Sequence, residues 1–220
     1  MTKTVKREAR RPDITLPELR TYEGRELEPD GDYDGLRFED LDLSGTDGAG
    51  ATFLDCGMYR CGLDEARLGR ARLLDSVLDG IRGVGTRLEG AELRDVELRD
   101  ARLGGTQMHG ARLNRVVVRG GKIDFLNLRQ AKLTDVTFEG CVLAEPDFGG
   151  ASLERVAFQD CVLRRAELHQ AKLKDVDLRG AAELDIATGL DRLAGAVISP
   201  TQLMELAPAF AARIGVRVEG

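Results

Sequence analysis

Residues 91–115 read AELRD VELRD ARLGG TQMHG ARLNR, five quintets whose middle residues are Leu93, Leu98, Leu103, Met108 and Leu113. Stepping by five keeps landing on apolar residues, forward through Leu133, Phe148 and Leu168 to Leu178, and back through Leu73, Met58 and Phe38 to Tyr33. Of these 30 centres, 28 are apolar or aromatic and the other two are Gly48 and Gly83, with no insertion from end to end. Two places before each centre the residue is usually small. Ala stands there ten times, and all four cysteines, Cys56, Cys61, Cys141 and Cys161, occupy the same place. The remaining three places are largely Arg, Asp, Glu, Lys, Gln and Gly, so two columns point inward and three face water.

Neither a helix of period 3.6 nor a strand of period 2 accommodates a repeat of five. A coil with a corner in every quintet does, and Gly90, Gly110, Gly120, Gly140, Gly150 and Gly180 suit such corners because Gly tolerates positive φ. A longer period counts the sides. Val96, Val116, Val136, Val156 and Val176 lie 20 apart, as do Ala51, Ala71, Ala91, Ala111, Ala131, Ala151 and Ala171. Four quintets therefore complete one turn, giving a four-sided solenoid in which like residues stack over like.

Quintets such as ARLGR, ARLLD, AELRD, VELRD, AKLTD, ASLER, AELHQ and VDLRG resemble the A(D/N)LXX pattern of pentapeptide-repeat proteins over about residues 33–180. That resemblance implies an all-β fold, a right-handed quadrilateral β-helix of some seven coils and roughly 35 Å, with a short helical C-terminal cap. Bulky or rigid residues in the small column, Leu36, Leu41, Ile81, Leu126 and Pro146, predict local bulging without loss of register. Gly48 and Gly83 predict a thin core.

Composition bounds the rest. The 220 residues are 42% hydrophobic, which excludes a disordered tail, yet aromatics are only 5%, Trp is absent and Gly numbers 26. No apolar run approaches the ~18 residues of a membrane span. The net charge of −6 argues against direct nucleic-acid binding. Arg10-Arg11 is followed by no apolar stretch, so export is not expected and the expected compartment is the cytoplasm.

Three regions are expected. Residues 1–22 read as a basic flexible arm, 23–182 as the β-helix, and 183–220 as a capping and dimerisation module. In the last, Ser199-Pro200-Thr201-Gln202 reads as a capping box with Pro at the first helical position. Pro208 is expected to break or kink that helix, Gly215 to end a second short turn, and Val216 and Val218 to alternate like a strand. Leu203, Leu206, Phe210 and Ile214 fall at helical spacings and are the candidate cap and dimer contacts.

No catalytic constellation appears, so neither an enzyme nor a cofactor or metal is expected. The cysteines sit in inward places and read as small reduced hydrophobes. His109 and His169 follow centres, face solvent and lie three coils apart, too far to share a metal. A rod without a pocket can bind a protein partner. The residues read as a non-enzymatic scaffold for an unidentified protein partner. Within the resembled family, quinolone-resistance and topoisomerase-immunity proteins act on DNA gyrase as duplex mimics and dimerise through their C-terminal ends. The resemblance therefore implies a homodimer and, as the alternative, a DNA gyrase modulator that confers resistance to topoisomerase poisons. Charge fits that reading unevenly. Asp30, Asp32, Asp34, Glu39, Asp40, Asp42 and Asp47 form the candidate acidic patch, whereas the middle coils present Arg67, Arg72, Arg82, Arg87, Arg102, Arg112, Lys122 and Lys132.

Overall fold

Each inward column closes into a parallel ladder with an offset of 20. Leu93 pairs with Leu113, Leu113 with Leu133 and Leu133 with Leu153 on one face, and Leu98, Val118, Phe138 and Phe158 do the same on the next. These ladders come from a computed structural model that describes residues 8–217. The first and second faces form one sheet whose eight-residue strands, such as Arg112–Arg119 and Lys132–Glu139, turn the corner between them. The third face is a six-stranded sheet running from Arg82–Val84 to Glu183–Thr188, and the fourth is joined by single bridges such as Gln107 to Asn127. Leu, Val, Phe and Ala from the inward columns fill one continuous core.

The second face carries ten rungs, from Arg20–Thr21 to Ala196–Val197, so the solenoid makes about nine turns rather than seven. At ~4.8 Å per rung that is a rod of about 43 Å. The extra length lies where the quintet frame fails but the coil does not. Beyond Leu178 the offset moves from 20 to 21, with Leu163 opposite Leu184, and bulges absorb the additional residue. These bulges are confined to the last coil, and at the other end the first rung pairs Arg20 with Leu36, an offset of 16. Around Leu36, Leu41, Ile81, Leu126 and Pro146 the register is kept as expected: Arg37 pairs with Gly57, and the bridges Asp42 to Gly62, Gly62 to Arg82 and Asn127 to Asp147 hold the offset of 20.

Every fifth residue from Asp30 to Asp175 holds a φ between +47° and +75°. Gly fills eleven of these thirty corners; the other nineteen carry Asp, Arg, Glu, Gln or, once, Phe. Glycine therefore does not mark the corners as expected, and Gly180 is no corner at all. It sits in the bulge opposite Gln159, where a Cβ would come 2.8 Å from the carbonyl of Phe158. A left-handed L-residue costs about 1–2 kcal/mol. The ladder outweighs it, because each corner N–H donates to the next coil, as Arg70 does to Glu89 and Gln130 to Gly149. At the corner between the fourth and first faces the following residue also donates back across the turn, Ala71 to Leu68 and Ala131 to Leu128. Its side chain is then pressed into the core, which accounts for the unbroken Ala column.

The two ends are closed differently. At the amino end Tyr22, Tyr33, Phe38 and Phe53 stack ring on ring, and Leu27 occupies the space that Gly48 leaves. At the other end helix α1, Pro200–Arg213, lies over the last coil. Between them the core holds an apolar cavity of about 50 Å³, lined by Leu63, Leu78, Leu88, Leu103, Met108 and Thr106 among others, while the space beside Gly83 is taken by the Thr86 hydroxyl.

Candidate interaction surfaces

The amino-terminal segment, expected as a flexible arm, lies extended along the rod. Arg20 pairs in the first rung, while the backbone N–H and the guanidinium of Arg10 bond Asp135 on the seventh, six rungs away. Arg11 pairs with Glu139, and Glu8 and Ala9 lie beside Ala157 and Asp177. Asp135 is the clasp. It occupies a left-handed corner, its carboxylate is fully buried, and it also accepts from Arg155 of the next coil at 2.7 and 3.1 Å. Burial alone would raise its pKa, but hydrogen bonds from Arg155 and Arg10 outweigh that and hold it below the usual carboxylate range. The segment lies over outward-facing apolar residues of the second face. Val77, Val117 and Thr137 are buried although they point away from the core.

The seven acidic candidates do not form one stripe. They ring the first coil on all four sides and are partly neutralised from the second. Arg60 bonds both Glu39 and Asp40, at 2.8 and 2.7 Å, and Arg67 pairs with Asp47. The side chain of Asp42 accepts from the backbone N–H of Ser44.

The capping box forms as expected, with Ser199 accepting from the Gln202 N–H and Gln202 Oε1 accepting from the Ser199 N–H. Gln202 Nε2 also donates to the carbonyls of Leu178 and Ala181, sealing the last coil. Helix α1 continues through Pro208 to Arg213, so Pro208 does not break it, and Gly215 follows with φ +80°. Val216 joins no strand, and Val218 lies outside the described residues. The four apolar candidates do not share a side. Leu206 is buried and Phe210 packs on the core, whereas Leu203 and Ile214 are exposed beside Met204 and Val216.

The four thiols are free and buried. Burial pushes Cys56 up to about 11 and raises Cys61; a hydrogen bond to Cys161 and burial raise Cys141. Donor atoms of Asp147, Glu167 and His169 come within 4.8 Å of one another at the surface. Asp147 already accepts from Arg129 at 3.1 Å and from the Gly149 N–H at 2.7 Å, and such exposed acidic groups are common without an ion. No described helix is long and apolar enough to cross a membrane.

The description "pentapeptide repeat region" matches residues 51–128 and 131–184, more than half of the chain, and the chain belongs to the pentapeptide-repeat family. Curated proteins include no match to the sequence. Among solved structures, full-length QnrB1, a plasmid-mediated fluoroquinolone resistance protein, is similar at 18% identity and a TM-score of 0.41, over 90% of this chain and 100% of that one. A trypsin-treated QnrB1 variant gives 16% and 0.38 over 89% and 95%. HetL, a pentapeptide repeat protein involved in heterocyst differentiation regulation from the cyanobacterium Nostoc, gives 21% and 0.22 over 77% and 90%.

Proposed function

We propose that this chain is a non-enzymatic scaffold that binds a protein partner through the flanks of its coil stack. The constant register of the central coils supports this most directly. Residues 20 apart stand in line on rigid faces, so spacing along the rod is fixed before any partner arrives, which lowers the ordering cost of binding. The enclosed space is an apolar cavity within the core, with no set of polar groups converging on it. Site-specific photocrosslinking from outward positions on each face tests the reading. Adducts of one mass from one face are expected; uniform or absent crosslinking would overturn it.

A narrower reading makes the partner DNA gyrase and the protein a modulator of topoisomerase poisons. The acid excess of the first coil favours it, and the spread of that acid around all four sides disfavours a duplex mimic. A gyrase supercoiling assay with and without a fluoroquinolone decides the matter; unchanged activity in both arms excludes it.

The exposed Leu203, Met204, Ile214 and Val216 support a homodimer through the C-terminal module. Sedimentation equilibrium at tens of micromolar should give two chains, and Met204→Glu should release monomers without lowering stability, whereas Phe210→Asp should lower it. One-chain mass for the native protein ends the dimer. Four unpaired thiols fit a reducing compartment, and the cytoplasm is the proposed location.

A further inference from the structure

The third face departs from the polar pattern where no described residue covers it. Phe125 is the single apolar residue among the thirty left-handed corners, and its side chain is 59% exposed. It bears the backbone strain of that conformation without the return of burial, a combination that persists where a residue serves something outside the fold. Two coils below it, Val84 is 65% exposed. Gly104 and Gly105 lie between them, and a Cβ on either would meet nothing nearer than 3.9 Å. The result is a shallow depression floored by backbone, with an aliphatic side chain at one end and an aromatic ring at the other.

One edge of this depression is basic. Arg82, Arg102 and Lys122 stand in register on successive rungs, ~4.8 Å apart. Like charges directly opposite one another are destabilising. Elsewhere the stack relieves its arginines with acids, as in Arg60 with Asp40, Arg115 with Asp95 and Arg155 with Asp135. Lys122 has Asp124 at 2.7 Å, and Arg82 shares a surface cleft with Asp40, Asp42 and Asp64 without a direct ion pair, whereas Arg102 has no carboxylate within ion-pair distance among the described residues.

We propose that this strip, from Val84 to Phe125 with Arg82, Arg102 and Lys122 along its edge, is the docking surface for an acidic protein segment carrying an apolar anchor. Carboxylates of the segment pair with the row of cations, and its anchor fills the depression against the Phe125 ring. A single-stranded nucleic acid fits less well, since binders of that class stack successive bases on several aromatic rings, and this strip offers one. The inference rests on the reading of the chain as an interaction scaffold and names the face and the chemistry of its partner.

Fluorescence anisotropy with a labelled Glu-Glu-Leu-Glu-Glu-Leu-Glu-Glu peptide tests it, beside the Gln counterpart of that peptide and a thymidine oligonucleotide. Saturable binding of the acidic peptide alone is expected. Arg102→Glu and Phe125→Gly should each weaken it at least about tenfold, the loss of one anchor contact. Lys132→Glu, on the first face, should leave it unchanged. Phe125→Gly should at the same time raise the melting temperature by relieving the left-handed corner, an outcome that a misfolded variant could not give. Absence of saturable binding, equal binding of the Gln peptide, preference for the oligonucleotide, or indifference to both third-face substitutions would overturn the proposal. Crosslinking of a partner from another face would leave the scaffold reading standing while this one fell.

Discussion

The second and third faces are built from the same quintets, yet their outward apolar residues meet opposite fates. On the second face Val77, Val117 and Thr137 point away from the core and are only 6%, 3% and 3% exposed. On the third, Val84 and Phe125 stand in solvent. The backbone treats both alike, with the same ladder offset and the same left-handed corners. The difference is the amino-terminal segment laid over one and not the other. A repeat dictates which way a side chain points; whether that side chain is dry depends on what else the chain, or a partner, brings to it. The interiors behind the two faces differ as well. Phe138 and Phe158 stack in the second-face column, whereas in the third-face column Gly83 brings no side chain and the Thr86 hydroxyl fills its place.

The sharpest break tests the rule both faces share. Leu133→Asp places an unpaired carboxylate in the fully buried first-face column and should cost about 4 kcal/mol or more in urea unfolding. Lys132→Asp, one residue away and exposed, should stay within about 0.5 kcal/mol. Equal losses would mean that the inward assignment is wrong.

Next comes the strap that separates the faces. Asp135→Asn removes the counter-ion of Arg10 and one of the two held by Arg155, which keeps Glu154, and should cost about 2 kcal/mol, moderated because Arg10 is largely exposed. Limited proteolysis should then cut within residues 8–19 far sooner than in the native protein. The pH dependence has a definite sign. The folded pKa of Asp135 is depressed, so its contribution is fully present above the unfolded value of ~3.9 and is lost as pH falls through the lower folded value. The gap between native protein and variant should therefore be flat from neutrality to about pH 4 and close below it. A gap that instead widens in acid would reject the clasp.

Behind the third face, the Thr106 hydroxyl is buried without a hydrogen-bond partner and lines the cavity. Thr106→Val keeps the shape and removes the unsatisfied group, and should gain about 1 kcal/mol. A loss of stability would show that a bound water satisfies that hydroxyl. The smallest effect is chemical. A thiol reagent in native buffer should label none of the four cysteines within minutes, and all four after denaturation.

The coil stack was legible because period five excludes the ordinary elements and period 20 counts the sides. Its corners were not read correctly from Gly. The ladder, not the side chain, enforces positive φ there, so Asp55, Arg115 and Gln130 serve as well as Gly90. The strap was hidden for another reason. Arg10 and Asp135 are 125 residues apart, and no local pattern links a basic tail to one acidic corner among many. A clue did exist in the outward places before the second-face centres, where Val77, Val117, Thr137 and Ala157 replace the usual charged residues. At the C-terminal end the capping box was visible in four residues. Pro208 misled because Leu206 and Phe210, on either side of it, are both anchored to the coil, so packing carries the helix past its missing donor.

The clasp at Asp135 also decides how the molecule meets a pull. Solenoids shed coils from their ends, and tension on the amino terminus would ordinarily unwind the first coil. Here the chain passes Asp135 before it reaches Arg20, so load enters at the seventh rung and peels the segment downward. A charged bond between Arg10 and Asp135 breaks first, while the aromatic cap and the first six rungs carry no force. It behaves as a tear-stitch: a replaceable link that yields, absorbs the tug, and re-forms with the coils beneath it still wound.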